Sequence, residues 1–457
     1  MKQPVTAIFD IGKTNKKFFL FDEEYNEVHR EFIRFEQIPD DDGYPSENLQ
    51  ELSAWMKEVF QSASDSPKFD IRRFNVSAYG ASLVHLDEKS ELATPFYNYL
   101  KPYPKHIEER FWKHYGDKAS FEIRTSSPYL GMLNAGLQLY FIKYEKPELF
   151  SKIHRSLHFP QYLSALFTGQ FFSDYTSVGC HTGLWNQTQQ SYADWVRQEE
   201  LDLLLSAFPD SETVPLDIQG IKYGIGIHDS SAALIPYLNL HSNNFVLIST
   251  GTWSICLNPF NHEPLSTFEL DRDCLHFLTT SQHPVKASRL FLGKHLSNVA
   301  RLMSDYFQVD YQSYKKLPFP QGFVSKHKDR KQLLFDHAIL QPERFGFENQ
   351  PCPNYDIFNG YEDAIYHLFD ELSNLQIASL QLAIGNTDIK NVYVDGGFSA
   401  SKVFMGFLAN KLPNHQVYAS SFPLGSAVGA AMVVDQEHIS QEKLEKLYQI
   451  KLTEPVL

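Results

Sequence analysis

Val5-Thr6-Ala7-Ile8-Phe9-Asp10-Ile11-Gly12-Lys13-Thr14-Asn15-Lys16-Lys17-Phe18-Phe19-Leu20-Phe21 opens the chain. Val5 to Phe9 reads as a β-strand ending at Asp10. Phe18 to Phe21 reads as a second strand after the glycine-containing turn, so the segment predicts a hairpin. The same device returns about halfway along, as Phe245-Val246-Leu247-Ile248, the turn Ser249-Thr250-Gly251-Thr252, and Trp253-Ser254-Ile255-Cys256-Leu257. A repeated opening unit predicts two related α/β lobes, residues 1–238 and 239–457, with the boundary between Pro236 and Asn244.

Outward from these two hairpins, apolar residues at three- and four-residue spacing predict helices over Leu49–Ser62, Ala135–Tyr144 and Gln161–Phe167. Val392-Tyr393-Val394 reads as a strand running into Asp395-Gly396-Gly397-Phe398-Ser399, with a helix over Lys402–Leu412. The stretch Leu424–Ala431 reads as a helix of small residues, which lets backbones pack closely.

The 457 residues exceed what one hydrophobic core supports, and 43% hydrophobic with 21% charged residues is the balance of a folded protein. A formal net charge of -14 without a basic stripe disfavours nucleic acid as a partner. A small anion remains compatible, because backbone N–H groups, local lysines and a metal ion hold phosphate on an acidic protein. No signal-peptide pattern and no run long enough to span a bilayer stand in the sequence, so cytoplasmic localisation and no membrane partner are expected. Cys180, Cys256, Cys274 and Cys352 are scattered and are expected as thiols without metal or disulfide.

Asp10 lies where a strand meets a glycine turn, where a carboxylate faces a metal while backbone N–H groups face phosphate. Thr14, Asn15, Lys16 and Lys17 add donors beside it; the plain alternative is an ordinary hairpin turn. Thr250, Gly251 and Thr252 supply a second hydroxyl-rich turn. Asp229, in Gly224-Ile225-Gly226-Ile227-His228-Asp229-Ser230-Ser231, begins a predicted helix. A carboxylate there either accepts the proton of an attacking hydroxyl or merely caps the helix. Asp40-Asp41-Asp42 reads as a solvated loop, and His85, His158 and His181 lack metal-ligand spacing.

In their order, these motifs resemble the FGGY family of carbohydrate kinases, and within it the rhamnulokinase and fuculokinase branch. The resemblance runs from Thr6 to about Val433. It implies two actin-like (ribonuclease H-like) lobes with a cleft between them, and ATP and Mg²⁺ as cofactors. It assigns phosphate contacts to Gly12, Lys13, Thr14, Asn15, Lys16 and Lys17, and to Thr250, Gly251 and Thr252, with nucleotide contacts at Gly396 and Gly397. It places the sugar against Gly80, Ala81, His228, Asp229 and Ser230. Asp229 is then the proton acceptor and, with Asp10, a metal contact. Phe422–Ala431 matches the small-residue helix that ends the family's second lobe.

Two segments depart from the pattern. Arg289–Lys294 lacks the Asn found near adenine in rhamnulokinases, and Phe96-Tyr97-Asn98-Tyr99 replaces a more charged stretch. The implied activity is phosphorylation of a primary hydroxyl of a ketose, such as a 6-deoxyketohexose of the L-rhamnulose or L-fuculose type. The alternatives are a kinase for another ketose or polyol (xylulose, ribulose or glycerol type) and a sugar-sensing protein of this fold without turnover. The implied partners are a small-molecule sugar and ATP, with a homodimer compatible.

Overall fold

The computed structural model describes residues 2–455 apart from 211–212, 241–243, 326–330, 353, 421–423 and 436–439. The first hairpin forms as Gln3–Ile11 and Lys16–Phe21. It lies in a seven-stranded sheet ordered Leu216–Ile218, Ile221–Tyr223, Phe69–Ala78, Gln3–Ile11, Lys16–Phe21, Glu27–Ile33, with Ile227–His228 also pairing along Phe69–Ala78. Val5 to Phe9 are buried on both faces, the pattern of a strand covered from two sides.

The second hairpin forms as Phe245–Thr250 and Ser254–Asn258. Trp253, expected as a strand residue, stays in the turn, 41% exposed and tilted against Phe291 at 4.6 Å. The second sheet runs Cys274–Leu278, Pro284–Leu290, Ser254–Asn258, Phe245–Thr250, Asn391–Gly396, Gln416–Ala419, Lys451–Leu452. Each sheet thus centres on one parallel pair, Gln3–Ile11 with Phe69–Ala78 and Phe245–Thr250 with Asn391–Gly396, flanked by its antiparallel hairpin.

The three predicted helices form over Leu49–Asp65, Ala135–Glu145 and Phe159–Thr168. The helices Asp229–Leu240 and Gly425–Val434 decide how the lobes meet. The first sheet uses residues up to 228 and the second begins at 245, so Asp229–Leu240 is the connection, and the expected division at 238/239 falls in its last turn. A Cβ on Gly429 would lie 1.8 Å from the Ala232 carbonyl oxygen. Glycine is what lets these two backbones touch. Asn75, on the first sheet, donates its amide to the Ala430 carbonyl at 2.9 Å. One apolar core consequently joins Ile8, Phe19, Phe21 and Tyr25 of the first sheet, Ala232, Tyr237, Ala427 and Val428 of the two helices, and Phe245, Leu247 and Tyr393 of the second sheet.

The Asp40–Asp42 run is the loop expected, with Asp41 and Asp42 exposed, but Asp40 departs from it. Asp40 is buried with its carboxylate 2.6 Å from the Lys101 ammonium, and Asp41 and Asp42 pair with Lys146 at 2.7 and 2.6 Å. Two lysines supplied from beyond residue 100 turn the run into a clasp on the 96–101 strap. Phe422 and Pro423, quoted for the last helix, lie outside the described residues. The four cysteines are free thiols, and among the described residues no helix is long and apolar enough to cross a membrane.

Candidate active site

The Asp10 carboxyl, at a strand end, feels the charge of Asp229, at the start of a helix. Asp10 sits at the end of its strand, with Lys17 Nζ 3.3 Å from Oδ2 and the Ser426 hydroxyl donating to Oδ1 at 2.9 Å. Ser426 belongs to the first turn of the Gly425–Val434 helix, so this bond ties the two ends of the chain together. Burial raises the Asp10 carboxyl above its ordinary range, Lys17 and Ser426 oppose that, and the Asp229 charge adds to the rise. A buried carboxylate that feels the charge of a second one is a place where a divalent cation would relieve repulsion.

Asp229 begins its helix with a side chain one-third exposed. Its Oδ1 accepts from Ser230 N at 2.6 Å and from the Ser230 hydroxyl at 3.2 Å. These are bonds to the next residue, whereas a helix cap accepts from the second or third residue beyond it. His228 lies alongside with Nε2 3.3 Å from the carboxylate and 3.1 Å from Cys180 Sγ, and with Nδ1 3.2 Å from the Ser231 hydroxyl. Burial lowers the His228 pKa, which Asp229 partly offsets, so the ring stays neutral near pH 7. A Cβ on Gly80 would meet Cys180 Sγ at 3.0 Å and the His228 ring at 3.1 Å. Ala81 follows in left-handed backbone at φ 64°, its carbonyl held by Gln138 at 2.8 Å. Gly80, Ala81, His228, Asp229 and Ser230 are therefore neighbours in one group, with Ala81 and His228 buried.

The first turn separates its five polar residues by task. Lys16 is buried and spends all three donors, on Gly12 O at 3.1 Å, Lys13 O at 2.9 Å and Glu47 Oε2 at 2.9 Å. It shapes the loop from beneath. Lys13 turns away from the strand end, 3.2 Å from Glu47 Oε1 and between the rings of Tyr79 and Tyr99. Asn15 accepts from Arg34 Nε at 2.7 Å, and Thr14 is exposed. Gly12 N closes the turn on Asn15 O at 3.0 Å. Lys17, beside Asp10, is the lysine of this loop placed at the carboxylate pair.

The second turn is locked to the glycine pair. Thr250 is buried, its hydroxyl donates to the Asp395 carbonyl and accepts from Phe398 N at 3.0 Å, and its carbonyl accepts from Gly397 N at 3.0 Å. Gly396 has φ 84°, and a Cβ there would lie 1.8 Å from Thr250 O. Gly251 and Thr252 are exposed above this knot. Gly251, Gly293 and Gly397 then form one edge of a cavity of about 330 Å³, completed by Leu296, Ser297, Tyr314, Phe369 and Phe398. Gly293 stands in the departing segment, where a Cβ would lie 1.8 Å from Gly251 O. The cavity residues from 296 to 369 carried no local signal, because three separate segments assemble that wall. Glu47 and Ser426 were missed for the same reason, their partners lying 31 and more residues away.

Residues 5–210 match the N-terminal domain of the FGGY family of carbohydrate kinases. A rhamnulokinase from Oceanobacillus iheyensis is 22% identical over 394 residues, 79% of this chain and 78% of that protein. Among solved structures, a carbohydrate kinase from Novosphingobium aromaticivorans is 20% identical with a TM-score of 0.76, covering 100% of this chain and 95% of its own. A xylulose kinase from Lactobacillus acidophilus is 16% identical with a TM-score of 0.78, covering 99% and 94%. Residues 5–210 thus match the N-terminal domain of that family, and over its whole length the chain shares the two-lobed, actin-like fold of these solved carbohydrate kinases.

Proposed function

We propose that the protein transfers the γ-phosphoryl group of ATP to a primary hydroxyl of a ketose, a 6-deoxyketohexose of the L-rhamnulose or L-fuculose type. The observation that carries the chemistry is that the buried Asp10 carboxyl feels the charge of Asp229, whose own side chain is one-third exposed. In this reading Asp229 accepts the proton of the attacking hydroxyl, and His228 packs against it and orients it. Asp10 and Asp229 are the residues that would hold Mg²⁺, which would offset the charge on the phosphates. Gly12, Thr14, Asn15, Lys17, Gly251, Thr252, Gly396 and Gly397 offer donors and close backbone approach to the phosphates. The 330 Å³ cavity beside Gly397 has the apolar, aromatic lining that suits a purine. Gly80, Ala81, His228 and Ser230 face the sugar. The ketose class is supported by the rhamnulokinase likeness and the motif order.

A coupled ADP-release assay over a panel of ketoses and polyols tests the reading, with a 6-deoxyketohexose expected to give the highest kcat/KM. Asp229→Asn keeps the shape and removes the base, so kcat is expected to fall by about 10²- to 10⁴-fold with sugar and ATP binding nearly unchanged. Wild-type turnover in that variant would remove Asp229 from the mechanism.

A further inference from the structure

The second turn stands between two cavities. Gly251 lines the 330 Å³ cavity, and Trp253 lines another of about 560 Å³, the size of a small-molecule site. Both lobes build the larger one: Tyr129 and Leu133 come from the first, and Trp253, Asp273 and Arg289 from the second. Strand register explains why the second-lobe residues meet there. Thr250 pairs with Ser254, Ser254 with Leu290 and Cys274 with Ser288, so Trp253, Arg289 and Asp273 stand at the sheet end that carries the second turn. On the first-lobe side, His181 Nδ1 donates to the Leu133 carbonyl at 3.2 Å. Phe277, on the strand that follows Asp273, packs on the His181 and His228 rings at 6.3 and 5.4 Å. The Cys180 thiol beside His228 feels the charges of Arg289 and Asp229 alike. A path of direct contacts thus leads from the cavity wall to His228 and Asp229.

The buried polar pair in this cavity selects its ligand. Arg289 is 6% exposed. Its Nε and Nη2 donate to the Asp273 carboxylate at 3.1 and 2.7 Å, and its backbone N to the Asp273 carbonyl at 3.3 Å. Nη1 makes no hydrogen bond among the described residues, and each Asp273 oxygen keeps a lone pair for a second donor. An anion would face Asp273 and a cation would face Arg289. Hydroxyl groups accept from Nη1 and donate to the carboxylate. The other charges on the cavity compete weakly: Glu122 is engaged by Tyr129 N at 2.7 Å and Arg272 by the Phe268 carbonyl at 2.8 Å. Lys118, Asp271 and Arg344 are exposed, so solvent screens them. The exposed Trp253 ring, its centroid 5.4 Å from the Arg289 guanidinium, adds a flat apolar wall of the kind that packs on the C–H face of a sugar.

We propose that the Arg289–Asp273 pair, with Trp253 as its wall, selects the acceptor by binding adjacent hydroxyls away from the one phosphorylated. This rests on the reading of Asp229 as the base and of the second turn as a phosphate contact. The donor then fills the cavity on the Gly251 side of that turn, and the acceptor the cavity on its Trp253 side. Arg289, in the segment that departs from the rhamnulokinase pattern, gains a task at the sugar. The acceptor becomes a bridge between the lobes, since Tyr129 and Leu133 meet it from the other side.

The test uses Trp253→Ala and the paired change Arg289→Gln with Asp273→Asn, which leaves no lone charge, in the full-length protein with the best acceptor from the panel. KM for the acceptor is expected to rise about tenfold or more in the paired variant and about threefold or more in Trp253→Ala, while kcat and KM for ATP stay within about twofold. Trp253 is exposed, so its variant tests the site even where the paired variant melts early. An acceptor lacking one of the remote hydroxyls should raise KM in the wild type but add nothing further in the paired variant. Additive losses would make the pair merely structural. A rise in KM for ATP with KM for the acceptor unchanged, or a carboxylate-bearing sugar outperforming every neutral one, would overturn the proposal. If no acceptor releases ADP, the kinase reading fails separately, and titration of the same sugars against tryptophan emission decides. A change present in the wild type and lost in Trp253→Ala supports the cavity as the sugar site, and wild-type emission that no sugar alters overturns it.

Discussion

Asp395 shows how a single carboxylate can tune the second turn. It is buried at the end of its strand, accepts from Gly396 N at 2.7 Å, and lends its carbonyl to the Thr250 hydroxyl. Burial pushes its pKa up to about 6, against the opposing bonds from Gly396 and Tyr237. A carboxyl raised in the fold is protonated there before it is protonated in the unfolded chain. Its contribution to stability is therefore full below about pH 4 and is lost as pH rises to about 6 and beyond. Asp395→Asn escapes that loss, so its melting temperature relative to wild type is expected to climb between about pH 4 and 6 and then level, the difference being worth up to about 3 kcal/mol. A pH-independent difference between the two melting curves would show that Asp395 titrates like an exposed carboxyl. At this scale the sequence was legible where the motif was local: Asp10, Thr250, Gly396 and Asp229 all stand at strand ends or turns, as their neighbours dictate. The tasks of Lys13 and Lys16 were not legible, because they are decided by Glu47, which no pattern around residue 13 announces.

At the scale of elements, the strands and helices nearest the site followed from apolar alternation and spacing, and their ends moved by a few residues where backbone pairing extended them. What the pattern could not say was that Asp229–Leu240 and Gly425–Val434 lie against each other, since a helix of small residues has no distinct apolar face to read. The contact of Gly429 with the Ala232 carbonyl supplies that missing fact. Gly429→Ala is expected to force the helices apart and destabilise the protein by about 1–3 kcal/mol. Because Asp229 and Ser426 stand at the starts of these helices, kcat should fall as well. Denaturation midpoints and initial rates measured on the same preparation check both effects, and a variant with unaltered stability would mean that the interface has slack.

On the scale of the whole molecule, the opening repeat correctly announced two lobes, each carrying its own hairpin and parallel pair. The shared apolar core was hidden, since it joins Phe19 and Tyr25 to Tyr393 and Val428 across the length of the chain. Arg73 and the Tyr25 hydroxyl reinforce it by meeting Asp435 at 3.1 and 2.9 Å. The lobes are consequently expected to unfold together, as one calorimetric transition; two resolved peaks would show that each stands alone. The glycine contact between the central helices also sets a mechanical scale. Asp229 and Ser426 each precede the touching residues, Ala232 and Gly429, by three positions, a lever arm of about 4.5 Å at 1.5 Å of rise per residue. A rotation of about 20° about that fulcrum displaces either end by only about 1.5 Å, but shifts a point about 20 Å out on the lobe by about 7 Å. Under such a rotation Asp229 and Ser426 would keep their register at the hub while the rim moves several times farther.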